Sequence, residues 1–266
     1  MIEKSNKTIN INFNKKRGDI INKFISFSSG NILVKLANTE SEYNQVYKLR
    51  YQELLLEYDQ TKKFEEEIDK DEYDEVCDHL IAIDTSKDQV VGTYRLIKKS
   101  HINNLKNFLT EKEFNIDIIK KYQILEVGRA VVKEEYRDGV TIGMLWRGVI
   151  RYAVSENIDI MIGTASFHGT DPLVYKSTLS YLYDNHLSPI DIRCFANKDS
   201  YFDMKLCDGY DPVVAKKEMP PLIKGYLNLG ATVGDGAYID KEFNSVDVLI
   251  VLVIKDINPR YLKRYL

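Results

Sequence analysis

Several features that would settle a function quickly are absent from this 266-residue sequence. Its three cysteines, Cys77, Cys194 and Cys207, are an odd number without metal-ligand spacing, which points to reduced thiols in a cytoplasmic setting rather than a disulfide scaffold. Its four histidines are scattered, so no metal site is expected. The longest apolar run, Val248 to Ile254, is too short to cross a bilayer. The N-terminus, MIEKSNKTININFNKKRGD, lacks the apolar core of a secretory signal. Basic charge is not in excess: the net charge is −3 at pH 7, which argues against nucleic acid as a partner. There is no G-x-G-x-x-G, no P-loop with its Lys, and no G-x-S-x-G. Dinucleotide, nucleoside-triphosphate and serine-hydrolase readings therefore have no support.

What is present is a composition able to bury a large core, with 44% hydrophobic and 29% charged residues. Residues 1–28 read as a polar extension and 29–266 as a single domain. Within the extension, Asp19–Phe27 is weakly amphipathic, with Lys15, Lys16, Arg17 and Lys23 nearby. That segment either packs on the domain or lies on a membrane surface.

Periodicity and turn residues give the order of elements. A strand over Ile32–Leu36 is followed by a helix to about Tyr58, capped by Thr39 or Ser41. Leu80–Ile83 and Val90–Ile97 read as a hairpin, and Leu105–Tyr122 as helical in parts. Next come a strand at Leu125–Val132, a helix at Ile142–Glu156, a strand at Ile158–Ser166 and a helix at Leu173–Asn185. Pro189–Cys194 is expected as a strand, Leu222–Leu229 as a helix ended by Gly230, and Val246–Ile254 as a last buried strand. The sum is a mixed α/β (α+β) domain with a sheet of six or seven strands flanked by helices.

The chemistry centres on Leu125–Pro172. Glu126 and Arg129 are three apart, so on a regular strand they would face opposite ways. Both enter one pocket only if the strand bulges, and Gly128 is where a bulge would fit. Upstream, Glu65–Asp78 holds nine carboxylates in fourteen residues. Most of that run reads as solvated, but Asp71 and Asp74 stand just before a strand, where they could receive an ammonium group. The turn from Tyr136 to Gly143 opens a helix whose exposed amides suit a phosphate, with Arg137 adding charge. Arg147 and Arg151 share one face of that helix. His79 and His168 read first as structural residues and second as substrate contacts. Asp171 is a candidate both for capping the next helix and for touching substrate.

The runs CDHL (Cys77–Leu80), EVGRAVV (Glu126–Val132), IGTASFHGTDP (Ile162–Pro172), PPLIKGYLNLGATVGDG (Pro220–Gly236) and FNSVDVLIVL (Phe243–Leu252) resemble the bacterial ornithine N-acyltransferases. The resemblance covers about residues 32–266 and implies the GNAT acyltransferase fold, shared with acyl-homoserine-lactone synthases. It implies transfer of a 3-hydroxyacyl chain from acyl carrier protein to the α-amine of L-ornithine, giving lyso-ornithine lipid. No permanently bound cofactor is implied; the acyl-phosphopantetheine of the carrier is a co-substrate.

The same resemblance groups Arg50, Asp71, Asp74, Arg95, Glu126 and Arg129 in one polar cluster. It makes Glu126 the candidate base and gives the backbone amides near Ala130–Val132 the tetrahedral oxyanion. Arg50, Arg95 and Arg129 would hold the substrate carboxylate or order the acidic residues. Many GNAT enzymes that use coenzyme A have an R/Q-x-x-G-x-G/A loop, whereas here Gly139 and Gly143 are separated by Val-Thr-Ile. Fewer glycines suit the single phosphate of a carrier arm better than a pyrophosphate. An acidic carrier would dock on Lys133, Arg137, Arg147 and Arg151. The competing readings are transfer to another amino acid, such as glycine or lysine, and a non-catalytic acyl-binding or haemolysin-like protein.

Overall fold

The apolar runs of the chain pair into one mixed sheet of ten strands, more than the six or seven expected because pieces of two to four residues extend its edges. The computed structural model describes residues 25–56, 67–102, 105 and 107–265. Most of the 1–28 extension and the start of the acidic run, Glu65 and Glu66, lie outside the described residues. So does the amphipathic stretch Asp19–Phe27 except for its last three residues, where Ile25 is fully buried in the core.

Eight strands carry the architecture: β1 (Phe27–Ser29), β2 (Ile32–Leu36), β3 (Asp78–Asp84), β4 (Gln89–Lys98), β5 (Ile124–Val132), β6 (Ile160–His168), β7 (Ala237–Asp240) and β8 (Ser245–Val253). They lie side by side as β1-β2-β3-β4-β5-β6-β8-β7, with Tyr201–Phe202 beyond β7 and Thr232–Val233 against β8. The pairings are antiparallel except β5 with β6. That parallel pair is held only over Ile124–Glu126 against Ile160–Ile162, after which the two strands part. At the parting point Gly163 needs its missing side chain, since a Cβ there would lie 2.3 Å from the carbonyl oxygen of Val127.

Helix α1 (Glu40–Arg50) starts with the capping box of Thr39 and Glu42. Helix α2 (Val140–Ser155) fills one face of the sheet, placing Leu145 and Val149 against Leu80, Leu96, Leu125 and Val127. The opposite face is covered by α1, through Val46 and Leu49 over Ile81 and Ile83. Phe108, Phe114, Ile116 and Ile119 cover Ile97, Ile124 and Ile162 on that same side. Helices α3 (Lys176–His186), α4 (Pro212–Glu218), α5 (Pro221–Leu229) and α6 (Pro259–Tyr265) complete the shell. Gly230, at φ +104°, ends α5 in the left-handed conformation expected of it. Gly225 lets α5 close on α2, because a Cβ there would sit 1.7 Å from the Trp146 ring.

Leu105–Tyr122 is helical in parts as expected, with 3-10 turns at Leu109–Lys112 and Asp117–Ile119. Another expectation changes. Pro189–Cys194 is not a strand: the Ile192 amide turns back to the Pro189 carbonyl, and pairing is confined to Phe195–Ala196. Among the described residues no helix is long and apolar enough to cross a membrane.

Candidate active site

The register of β5 against β4 shows how Glu126 and Arg129 come to share a face. Thr93 pairs with Val131 and Arg95 with Gly128, so Tyr94 alone stands opposite both Arg129 and Ala130. The extra residue is a β-bulge, one position beyond the expected Gly128, with Arg129 at φ +49°. Its effect is visible in the core. Val127 packs toward α2 and Val131 toward α1, although residues four apart on a regular strand point the same way. The left-handed backbone at Arg129 costs on the order of 1 kcal/mol, and it places the side chain in ion pairs with Asp69 and Asp71 at 2.9 and 3.6 Å.

Where β5 and β6 diverge, a cavity of about 770 Å³ opens through the sheet. Arg95, Glu126, Arg129, Ala130 and His168 line it. Toward α2 the walls are apolar and aromatic: Tyr94, Val127, Phe167, Leu222, Ile223 and Tyr226. Trp146 Nε1 donates to Tyr94 Oη at 2.9 Å, and the Tyr226 hydroxyl donates to the same oxygen at 3.3 Å. Toward α1 the walls are charged, because Arg95 and Glu126 alternate with Tyr94 and Val127 along their strands.

Glu126 is buried, with Oε1 accepting from the Thr110 amide at 3.3 Å and Oε2 without a partner among the described residues. Burial pushes its carboxyl up to about 7, with Arg95 and the backbone amides of Leu109 and Thr110 pulling the other way. A carboxylate set near neutrality and opening on a cavity has the chemistry of a general base.

Behind it three arginines and three aspartates form a closed network. Arg50, fully buried, gives Nε to Asp69 at 2.8 Å and its Nη groups to both oxygens of Asp74 at 2.7 and 3.1 Å. Arg95 Nη1 reaches both oxygens of Asp71 at 2.7 Å, and Arg129 Nε reaches Asp69 at 2.9 Å. Burial works against ionisation of the three aspartates, yet the guanidiniums hold them all below the usual carboxylate range. Asp71 and Asp74 are thus engaged by arginine, and neither lines the cavity. Asp69, which the sequence reading left within the acidic run, bridges Arg50 and Arg129.

His79 is outside the cavity. It is wedged edge-on between the rings of Tyr43 and Tyr47, and burial pushes it down to about 4, leaving a neutral structural histidine. Asp171 is exposed and accepts from the Leu173 amide at 3.0 Å, capping the turn at Pro172–Tyr175. Val132 lies past the bulge, paired with Gly92, and its carbonyl receives Arg137 Nε at 2.8 Å. Lys133, Arg137, Gly139, Gly143, Arg147 and Arg151 do not line the cavity. Gly139 starts α2 at φ +86°, while Arg147 and Arg151 stack over the Phe27 ring at 4.6 and 4.9 Å. Asp138 Oδ1 accepts from the Val140 amide at 2.8 Å, so one of the amides expected to face a phosphate is occupied.

A third group was not foreseen. Glu113, Asp240 and Asp247 line the same cavity, with carboxylate oxygens within 4.8 Å of one another. Burial, then the charges of Asp247 and Asp240, push Glu113 up to about 9, and burial pushes Asp247 up to about 6.

The mixed sheet with its splayed parallel strand pair is a GNAT-type acyltransferase fold. The acetyltransferase (GNAT) domain family matches residues 49–147. The solved N-acyl amino acid synthase FeeM, from uncultured soil microbes, has the same fold, with a TM-score of 0.52 at 9% identity over 90% of this chain and 100% of that one. The L-ornithine N(alpha)-acyltransferase of Brucella abortus is 36% identical over 250 residues, 89% of each chain. That of Agrobacterium fabrum is 36% identical over 250 residues, 89% of this chain and 85% of its own. The chain belongs to the L-ornithine N(alpha)-acyltransferase family and is an acyltransferase.

Proposed function

We propose that this enzyme transfers a 3-hydroxyacyl chain from acyl carrier protein to the α-amine of L-ornithine, yielding lyso-ornithine lipid. The observation that carries the reading is Glu126, buried and set near neutrality, facing the same divided strand gap as Arg129. In the reaction the α-amine attacks the thioester carbonyl, forming the N–C bond. The C–S bond breaks, and the thiolate leaves on the carrier arm. Glu126 takes the proton that the amine must lose, directly or through one water, and returns it to the sulfur.

The open edge of β5 at Gly128–Ala130 faces the gap left by β6 and is the candidate cradle for the tetrahedral oxyanion. Arg129 and Arg95 offer charge for the substrate carboxylate, with the aspartate network fixing both side chains. The apolar walls toward α2 suit the acyl chain. A carrier arm rather than coenzyme A is supported by the glycine-poor start of α2 and by the Asp138 side chain occupying the Val140 amide. Lys133 and Arg137, at that end of α2, are the proposed docking charges, with Arg147 and Arg151 further along the helix. The lipid product partitions into a bilayer, which is why peripheral membrane contact belongs to this reading.

The pH profile tests the base. As Glu126 ionises, kcat/KM for ornithine should rise through about pH 7 and level off above it. Glu126→Gln should remove that limb and lower turnover about 10²–10⁴-fold. A variant keeping near-normal turnover with the same profile would refute the role.

A further inference from the structure

Asp240 and Asp247, on the two strands of the β7–β8 hairpin, meet Glu113 from a distant part of the chain on the face of the sheet that carries Glu126. Asp247 alternates with Val246 and Val248, which pack toward α2, so its carboxylate points the other way. Only part of the cluster is satisfied internally. Asp240 Oδ1 accepts from the amides of Glu242 and Phe243 at 2.8 and 2.9 Å. Asp247 Oδ2 accepts from Ser245 Oγ at 3.0 Å. Among the described residues Asp247 Oδ1 and Glu113 Oε2 are buried without a hydrogen-bond partner, while Ser166 and Ser245 favour the charged form of Asp247, which is 3% exposed. Among the described residues none of the three carboxylates forms a salt bridge with a basic side chain.

Three acidic acceptors around one space call for a cation with several donors. A primary ammonium carries three N–H groups. Bonds of about 2.8 Å at tetrahedral angles need acceptors no more than about 4.6 Å apart, and one oxygen from each carboxylate lies within 4.8 Å of the other two. The cluster is electrically in touch with the chemical centre, because the charges of both Glu126 and Arg129 act on Glu113.

We propose that Glu113, Asp240 and Asp247 form the specificity site for the side-chain ammonium of the acceptor, selecting a diamino acid over a neutral one. The assignment rests on the acyl-transfer reading and deepens it. The acceptor's α-amine meets Glu126, its carboxylate meets Arg129, and its far end is neutralised by the triad. This also accounts for the arginine-saturated state of Asp71 and Asp74, which leaves the ammonium no place in that network.

The test compares L-ornithine with L-norvaline, the same carbon chain without the terminal amine. Binding is read by calorimetry on the full chain without acyl donor, and kcat/KM is read with donor. The wild type should prefer ornithine in both measurements. Asp247→Asn should lower the ornithine-to-norvaline ratio about 30-fold or more, the scale for removing one partner of a buried charge pair. Glu113→Gln, outside the β7–β8 hairpin, should do the same and serves if Asp247→Asn does not fold. An unchanged ratio in a folded variant overturns the proposal while leaving acyl transfer to ornithine standing. Ornithine-selective binding without acyl transfer supports the site and removes the activity. Tight uptake of Mg²⁺ or Ca²⁺ that expels ornithine would assign the triad to a metal ion and overturn it as an ammonium site.

Discussion

At Glu126 burial and charge pull in opposite directions, and burial wins. The folded-state pKa lies above its usual value of 4.5. The stabilising contribution of the protonated form is therefore present below about 4.5 and lost as pH rises through about 7. Glu126→Gln, which carries no charge, should melt higher than the wild type at pH 8, with the difference closing near pH 4.5. Thermal melts at both pH values check this, and they separate lost chemistry from lost fold. The guanidinium network behaves differently. Arg50 and Asp74 have no exposed side-chain surface, so Asp74→Ala leaves a buried guanidinium short of a partner. The expected cost is about 3–5 kcal/mol, or a fall in Tm of about 10 °C. A melt within 2 °C of wild type would show that solvent or Asp69 compensates fully. At this scale the sequence was informative where residues sit in one motif. Glu126 and Arg129 could be paired from a strand of nine residues because a bulge is the one device that makes them neighbours. Asp69 was hidden among equivalent carboxylates. Glu113, Asp240 and Asp247 share no local pattern, since only the pairing of β7 with β8 and the path of the 3-10 segment brings them together.

Among the elements, the divergence of β5 from β6 matters most. It needs Gly163 at the branch, a bulge at Arg129–Ala130, and α5 pressed on α2 through Gly225. Gly163→Ala drives a methyl into the Val127 carbonyl and should cost about 1–3 kcal/mol, the scale of core overpacking. Because the displaced carbonyl belongs to the residue after Glu126, kcat should fall along with Tm. A variant that melts lower but turns over normally would mean that the branch geometry is structural only. Long elements with a clear period were read to within a few residues. The expected helix over Ile142–Glu156 spans Val140–Ser155, and the strand over Val246–Ile254 spans Ser245–Val253. Short edge pieces such as Ala237–Asp240 were not legible, because two to four residues carry no periodicity and gain their pairing only from the neighbouring strand. Pro189–Cys194 misled for the converse reason: its apolar residues suggested burial, but Ile190 is 69% exposed on a turn.

Over the whole molecule, the net charge is −3, so under the proposed reaction an acidic chain receives an acidic carrier. The proposed contact is therefore local, at the start of α2. Reversing Lys133 and Arg137 to glutamate should raise KM for the acyl carrier protein, more so at low salt, and leave KM for ornithine unchanged. An unaltered KM for the carrier would move docking elsewhere. The proposed reaction puts its two substrates on opposite faces of one split sheet, the acyl chain on the apolar side toward α2 and the amino acid on the charged side toward α1. The direct test of that arrangement is to incubate the purified protein with 3-hydroxyacyl carrier protein and L-ornithine labelled with ¹⁵N at the α position, then to locate the acyl group by mass spectrometry. Acylation on the labelled α nitrogen, lost in Glu126→Gln, is the result predicted here; acylation on the δ nitrogen, or no product from a folded protein, would contradict it.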